Sequence, residues 1–217
     1  VMSAKNILLQ DIYQERDALV WPEKLYEMYK TTLIPFSYGL AEPVEEETLK
    51  KDTLFQIVDI TDISKSTISM IDTLVELTDV NEGFYDLSSK SKVRGKRRVT
   101  VNEVNLNETD KEVLLDDTSQ PTQGSVYRLT LQDCFGNLCF AYESKPLNIL
   151  RNPSCHGLFR LKLGYKLVVC KGTKIIFNTL HLEDANIKKL GGSIDKLNFK
   201  LYERKLNELK NEIDYKG

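Results

Sequence analysis

Residues 64–124 constrain how this chain folds more than any other feature. Before them, "LFQIVDITDIS" (54–64) is rich in β-branched residues and reads as a strand. After them come two pairs of strand-like runs. In between lie only two moderately apolar pieces, "TISMIDTLVELTD" and "VTVNEVNL", a basic run, and a polar tail that ends at Pro121 and Gly124. A connection of this length inside a compact domain is uncommon, and is usually functional or disordered. The first strand therefore has to find partners that are remote in sequence.

Those partners follow in order. "SVYRLTLQD" and "LCFAYES" flank a short turn with Gly136-Asn137, a hairpin signature. "PLNILRNPSCHGLF" is a connector with room for one helical turn. "LGYKLVVCKGTKIIFNTLHLE" reads as a second hairpin, turning through Lys171-Gly172-Thr173. The end, "SIDKLNFKLYERKLNELKNEID", places Ile194, Leu197, Leu201, Leu206, Leu209 and Ile213 at steps of three to five, as one amphipathic helix would. Gly191-Gly192 reads as a helix C-terminal cap.

Upstream, residues 3–34 read as helices. Leu8, Ile12 and Leu19 form one stripe, Trp21-Pro22 interrupts it, and Leu25, Met28, Tyr29 and Leu33 form a second. The acidic stretch around Glu45–Glu47 suits the start of a third helix. The expected fold is α+β. It comprises a small N-terminal helical bundle (3–52), a five-stranded OB-fold β-barrel (53–192) whose insertion (64–124) separates strands 1 and 2, and a C-terminal helix (193–217). An SH3-like barrel is the alternative.

A chain of 217 residues with 41% hydrophobic and 29% charged residues has ordinary globular composition. With a formal net charge of −2, any nucleic-acid contact must be local. No apolar run reaches a membrane span, and no secretory signal is evident, so reduced thiols are expected. Cys134, Cys139, Cys155 and Cys170 match no zinc spacing, although Cys134 and Cys139 could face each other across the hairpin. His156 and His181 accompany no nucleophile motif. No enzyme activity, metal or cofactor is expected.

Alternation sets the character of the barrel surface. Leu138, Phe140 and Tyr142 face one way, and Cys139 and Ala141 the other. Residues 163–170 carry apolar side chains on both faces, so both must be covered, by the terminal helices or in part by another protein. An OB barrel that holds a single strand needs aromatics interleaved with Lys and Arg, and these strands are poor in that pattern.

"FNTLHLEDANIKKLGGSIDKLN" (177–198) resembles a strand, turn and helix start of RecQ-mediated genome instability protein one, the OB-fold subunit of the topoisomerase III–RecQ helicase complex. "LFQIVDITDIS" resembles that family's first barrel strand, "YRLTLQDCFGNLCFAYESKPLNIL" its second and third, and "LGYKLVVCKGT" its fourth, all collinear. A single barrel is similar to the short fungal form. The resemblance implies a non-catalytic subunit that docks on a type IA topoisomerase, topoisomerase III, and whose insertion reaches into the enzyme's DNA gate. With a RecQ-family helicase, such a complex dissolves double Holliday junctions in recombination, repair and replication. It also implies binding of structured or single-stranded DNA, and a nuclear location.

Within the insertion, Lys90, Lys92, Arg94, Lys96, Arg97 and Arg98 form the basic run. It is a candidate for sequence-independent phosphate contact, for nuclear import, or for a solvated loop tip. Phe84, Tyr85 and Leu87 are candidate partner-binding anchors, or else fold back onto the barrel.

Overall fold

The structure, a computed structural model, describes residues 6–35, 46–76, 78, 125–151 and 161–213. The strands are β1 (Glu46–Thr48), β2 (Thr53–Asp62), β3 (Tyr127–Gln132), β4 (Leu138–Glu143), β5 (Lys166–Val169), β6 (Lys174–Ile176), β7 (Thr179–Leu182) and β8 (Ile187–Gly191). The described residues form eight strands in one sheet, where five were expected. The three extra strands are β1, in the acidic stretch expected to start a helix, β7, split from β6 by the turn at 177–178, and β8, which runs into the glycine pair.

Pairing closes the sheet on itself. β1 and β2 run antiparallel to β6 and β5, while β7 and β8 flank the same two strands on the other side. β7 lies parallel to β4, and β4, β3 and β2 follow antiparallel in turn back to the start. Closure leaves few edges in need of cover. Inside sit Phe55, Ile57, Ile60, Leu129, Leu131, Ala141, Leu167, Val169, Leu180 and Leu182, each at most 2 % exposed.

Several local expectations are corrected. Lys171-Gly172-Thr173 is a bend, since β5 and β6 pair with other strands. The tight hairpin is at Phe177-Asn178, between β6 and β7, where both residues have positive φ (46° and 58°), as a type I′ turn requires. The acidic stretch forms β1, where Glu46 pairs with Lys174 at 2.9 Å. Gly191 and Gly192 end a strand. At Gly192 (φ +96°) a Cβ would lie 2.1 Å from the Leu8 carbonyl oxygen, so the chain crosses there only as glycine. The C-terminal helix is two helices, α3 (Asp195–Asn198) and α4 (Leu201–Glu212), broken by Lys200 at φ +48°. Asn198 fixes the corner, its side chain donating to the Leu163 and Ile194 carbonyls, each at 2.8 Å.

The expected helical bundle is instead an irregular strap. Three 3-10 turns (Ile7–Leu9, Arg16–Ala18, Lys30–Thr32) flank one short helix, α1 (Glu23–Tyr29). It covers the outer side of β2 and β5, where Ile7, Ile12 and Tyr29 pack on Leu54 and Val168. This is the second apolar face that residues 163–170 display. Cys134 is buried in this outer layer and Cys139 in the barrel, so the two do not pair across the hairpin.

Polar groups under the strap are matched. Gln56 donates to Asp11 (3.0 Å) and Gln132 (2.9 Å), and accepts from the Ile12 amide (3.1 Å). Lys166, fully buried, reaches the Leu8 carbonyl at 3.3 Å. Burial lowers its amine to about 8, against the pull of Asp11 and Glu15. The unfolded chain has an ordinary lysine near 10.5. Between those values it binds the extra proton, so stability rises with pH, and the full cost of burial is felt below pH 8. Lys166→Met is expected to raise stability at pH 7, on the order of 2 kcal/mol, with the advantage shrinking by pH 10. Urea midpoints of both proteins across that range check it.

Candidate partner-binding surface

The basic run Lys90, Lys92, Arg94, Lys96, Arg97 and Arg98 and the apolar trio Phe84, Tyr85 and Leu87 lie outside the described residues. What the structure does describe is the root from which the insertion departs. Strands β2 and β3 stay zipped to the end, with Asp62 opposite Tyr127 and the Ile63 amide donating to the Val126 carbonyl at 2.9 Å. On the returning side, buried Glu143 accepts from the Tyr127 amide (2.8 Å) and from both terminal nitrogens of Arg151. Arg151 also donates to the Ser125 carbonyl (2.9 Å). The carboxylate holds the arginine's pKa above its ordinary value.

On the departing side the insertion begins with a helix, α2, over residues 67–76. Ser66 accepts from the Ser69 amide at 3.2 Å, an N-terminal cap. An isolated helix of this length is marginal in water, so α2 depends on what it packs against. Met70, Ile71 and Leu74 bury against Leu209 of α4, with Tyr202 and Leu206 alongside.

Helix α4 is itself fastened to the barrel. The register of β2 shifts between Ile57 and Asp59, so Val58 is an extra, bulged residue. Without it, Asp59 would continue the inward series of Phe55 and Ile57. The bulge turns Asp59 outward, where Lys205, 8 % exposed, meets it at 2.8 Å and holds Glu208 at 3.2 Å. Sequence reading missed this contact, because a bulge leaves no composition signal. It missed α2 as well, although Met70, Ile71, Leu74 and Val75 repeat at helical steps.

Beside this root lies the outer face of β3, β4 and β7. The alternation of β4 holds: Cys139 and Ala141 point inward, while Leu138 and Phe140 are about half exposed. Phe177, at the hairpin tip, is exposed, as is Phe135, which carries Arg16 over its ring at 4.8 Å. Arg128 stacks on Phe140 at the same distance. His181 lies half-buried in β7, paired with Tyr142. The described face is thus apolar and aromatic with a pair of arginines, which is the composition of a protein contact more than that of a phosphate-tracking groove.

Burial pushes the Cys134 thiol up to about 12 and raises that of Cys139 further, so both stay protonated and unreactive at neutral pH. Among the described residues no cluster of His, Cys, Asp or Glu is placed to hold a metal, and no helix is long and apolar enough to cross a membrane.

A closed barrel with an expanded first loop is the architecture of an OB-fold domain. Residues 36–205 match the family described as RMI1, N-terminal OB-fold domain, and the chain belongs to that family. No curated protein matches it. The family is that of a non-catalytic OB-fold subunit, and membership associates the chain with the RecQ–topoisomerase III complex.

The packing of α2 on α4 predicts a local, separable opening. Leu209→Ala is expected to cost about 2–4 kcal/mol in the helix pair. Hydrogen exchange checks it: amides of residues 70–75 should lose protection while those of β3 and β4 keep theirs.

Proposed function

We propose that this chain is a structural and regulatory subunit that binds topoisomerase III, modulates its DNA gate and, with a RecQ-family helicase, supports dissolution of double Holliday junctions. Chemistry stays with the topoisomerase. The subunit contributes binding energy and the position of its arm, and this reading implies a nuclear site of action.

The observation that carries the reading is the combination of the family match with the pinned root. A barrel that zips both feet of a long insertion and packs its first helix on α4 fixes the points at which that insertion leaves and returns. Exposed Leu138, Phe140 and Phe177 offer the apolar anchors expected of a docking face. Accessory contact with structured or single-stranded DNA is assigned to the basic run. An independent single-strand-binding module is the alternative. It requires cations distributed along the barrel, and the described face has Arg16 and Arg128.

Co-purification with a type IA topoisomerase tests the proposal, using the intact chain and a version with residues 79–124 replaced by a short linker. Both are expected to bind, and only the intact chain to alter gate behaviour in a strand-passage assay. Failure of both to bind sinks the reading.

DNA contact has its own measurement. If about four of the six basic side chains engage single-strand phosphates, log K falls against log salt with a slope near −3. Replacing all six with Gln should flatten that slope. An unchanged slope removes the basic run from the DNA contact.

A further inference from the structure

An open groove of about 470 Å³ runs between the outer face of β3–β4 and the α3–α4 corner. Its floor is apolar, made by Phe140, Leu163, Leu197 and Leu201. An arginine stands on each wall. On the sheet side Arg128 stacks on Phe140, which is 48 % exposed. On the helix side Arg204 donates from Nε to the carbonyl of Phe199 at 3.1 Å and from Nη2 to that of Leu197, which leaves Nη1 and the outer Nη2 hydrogen for an incoming acceptor; Phe199 itself, 69 % exposed, stands at the corner beside the groove. The break at Lys200 is what presents Phe199, since a continuous helix would have carried the chain past that corner.

Charge in the groove is unevenly matched. Its two carboxylates, Asp59 and Glu208, both belong to Lys205. Arg128 and Arg204 therefore have no carboxylate partner among the described residues, and the Nε of Arg128 is buried without an acceptor. Guanidinium forks match carboxylates with paired hydrogen bonds, and apolar hollows of this size take large side chains.

We propose that this groove receives an extended acidic segment of a partner protein. Its apolar side chains seat between Phe140 and Leu201, and its carboxylates pair with Arg128 and Arg204. The inference goes beyond the topoisomerase reading and does not depend on it. Nucleic acid fits less well: the free cations are two, one on each wall, and Glu208 stands at the rim with its side chain 64 % exposed.

Fluorescence anisotropy on the full chain tests the proposal with three labelled probes at low salt. The probes are a heptapeptide of aspartates around two phenylalanines, the same peptide with lysines for aspartates, and an oligothymidylate. The acidic peptide is expected to bind at least about tenfold tighter than the basic one. Arg204→Gln, at an exposed position, and Phe140→Ser should each weaken it by about tenfold or more. Amide shifts on titration should concentrate at Phe140, Leu201 and Arg204, a readout that needs no variant to fold. Equal binding of the two peptides, shifts elsewhere on the barrel, or displacement of the acidic peptide from these residues by the oligothymidylate would each overturn the assignment.

Discussion

One inserted residue in β2 organises everything the barrel presents on this side. A strand without the bulge at Val58 would drive Asp59 into a core of Phe55, Ile57 and Leu129, where an unpaired carboxylate is untenable. With the bulge, Ile60 takes the inward place and Asp59 faces out to Lys205. Lys205 fixes α4, α4 provides the apolar seat for α2, and α2 is the first helix of the insertion. A single register shift thus connects the barrel's interior to the seat of the helix that opens the insertion.

The strap on the other side of β2 answers a different requirement. A strand such as β5, apolar on both faces, is stable only if both are covered, and an irregular segment can cover one only if its backbone groups are matched. Gln56, Asp11 and Gln10 do that matching, and Gln10 alone serves both the Ala18 carbonyl and the Val20 amide. Lys166 is the exception, a cation held in the layer at some cost. Its Leu8 carbonyl partner also receives the Ser193 amide at 2.9 Å, so one carbonyl ties the strap to both β5 and the exit of β8.

Much of the fold was legible because burial leaves a two-residue or three-to-four-residue signature. Leu138 to Tyr142 alternated as read, and residues 163–170 were rightly seen as covered on both sides. Failures clustered where one residue type serves two geometries. Glycine at positive φ ends helices and also lets strands cross, so Gly191-Gly192 passed for a helix cap. Gly172 drew the hairpin to itself while the true turn used Phe177, a residue seldom found at φ 46°. The apolar stripe of the C-terminal helix ran unbroken through Lys200, because helix faces on either side of a corner can share one period. Of the candidate site, the root was invisible: Lys205 and Asp59 are 146 positions apart, and no local pattern joins them.

The division of charge over the molecule gives the surfaces separate tasks. With a net charge of −2, the chain has no long-range pull on a polyanion, and its densest run of positive charge falls in the sequence of the insertion. On the barrel, several described surface cations stand beside a carboxylate: Lys188 by Asp52, Lys189 by Asp184, Lys145 by Glu183, Lys174 by Glu46. Such exposed pairs contribute little stability, yet they mute the field around the sheet. Against that quiet background, Arg128 and Arg204 stand out, and a carboxylate brought to them meets two forks over an apolar floor rather than a diffuse positive surface. Other described lysines, Lys51, Lys162 and Lys171 among them, also lack a carboxylate, so specificity here comes from two guanidinium groups set on either side of one apolar floor.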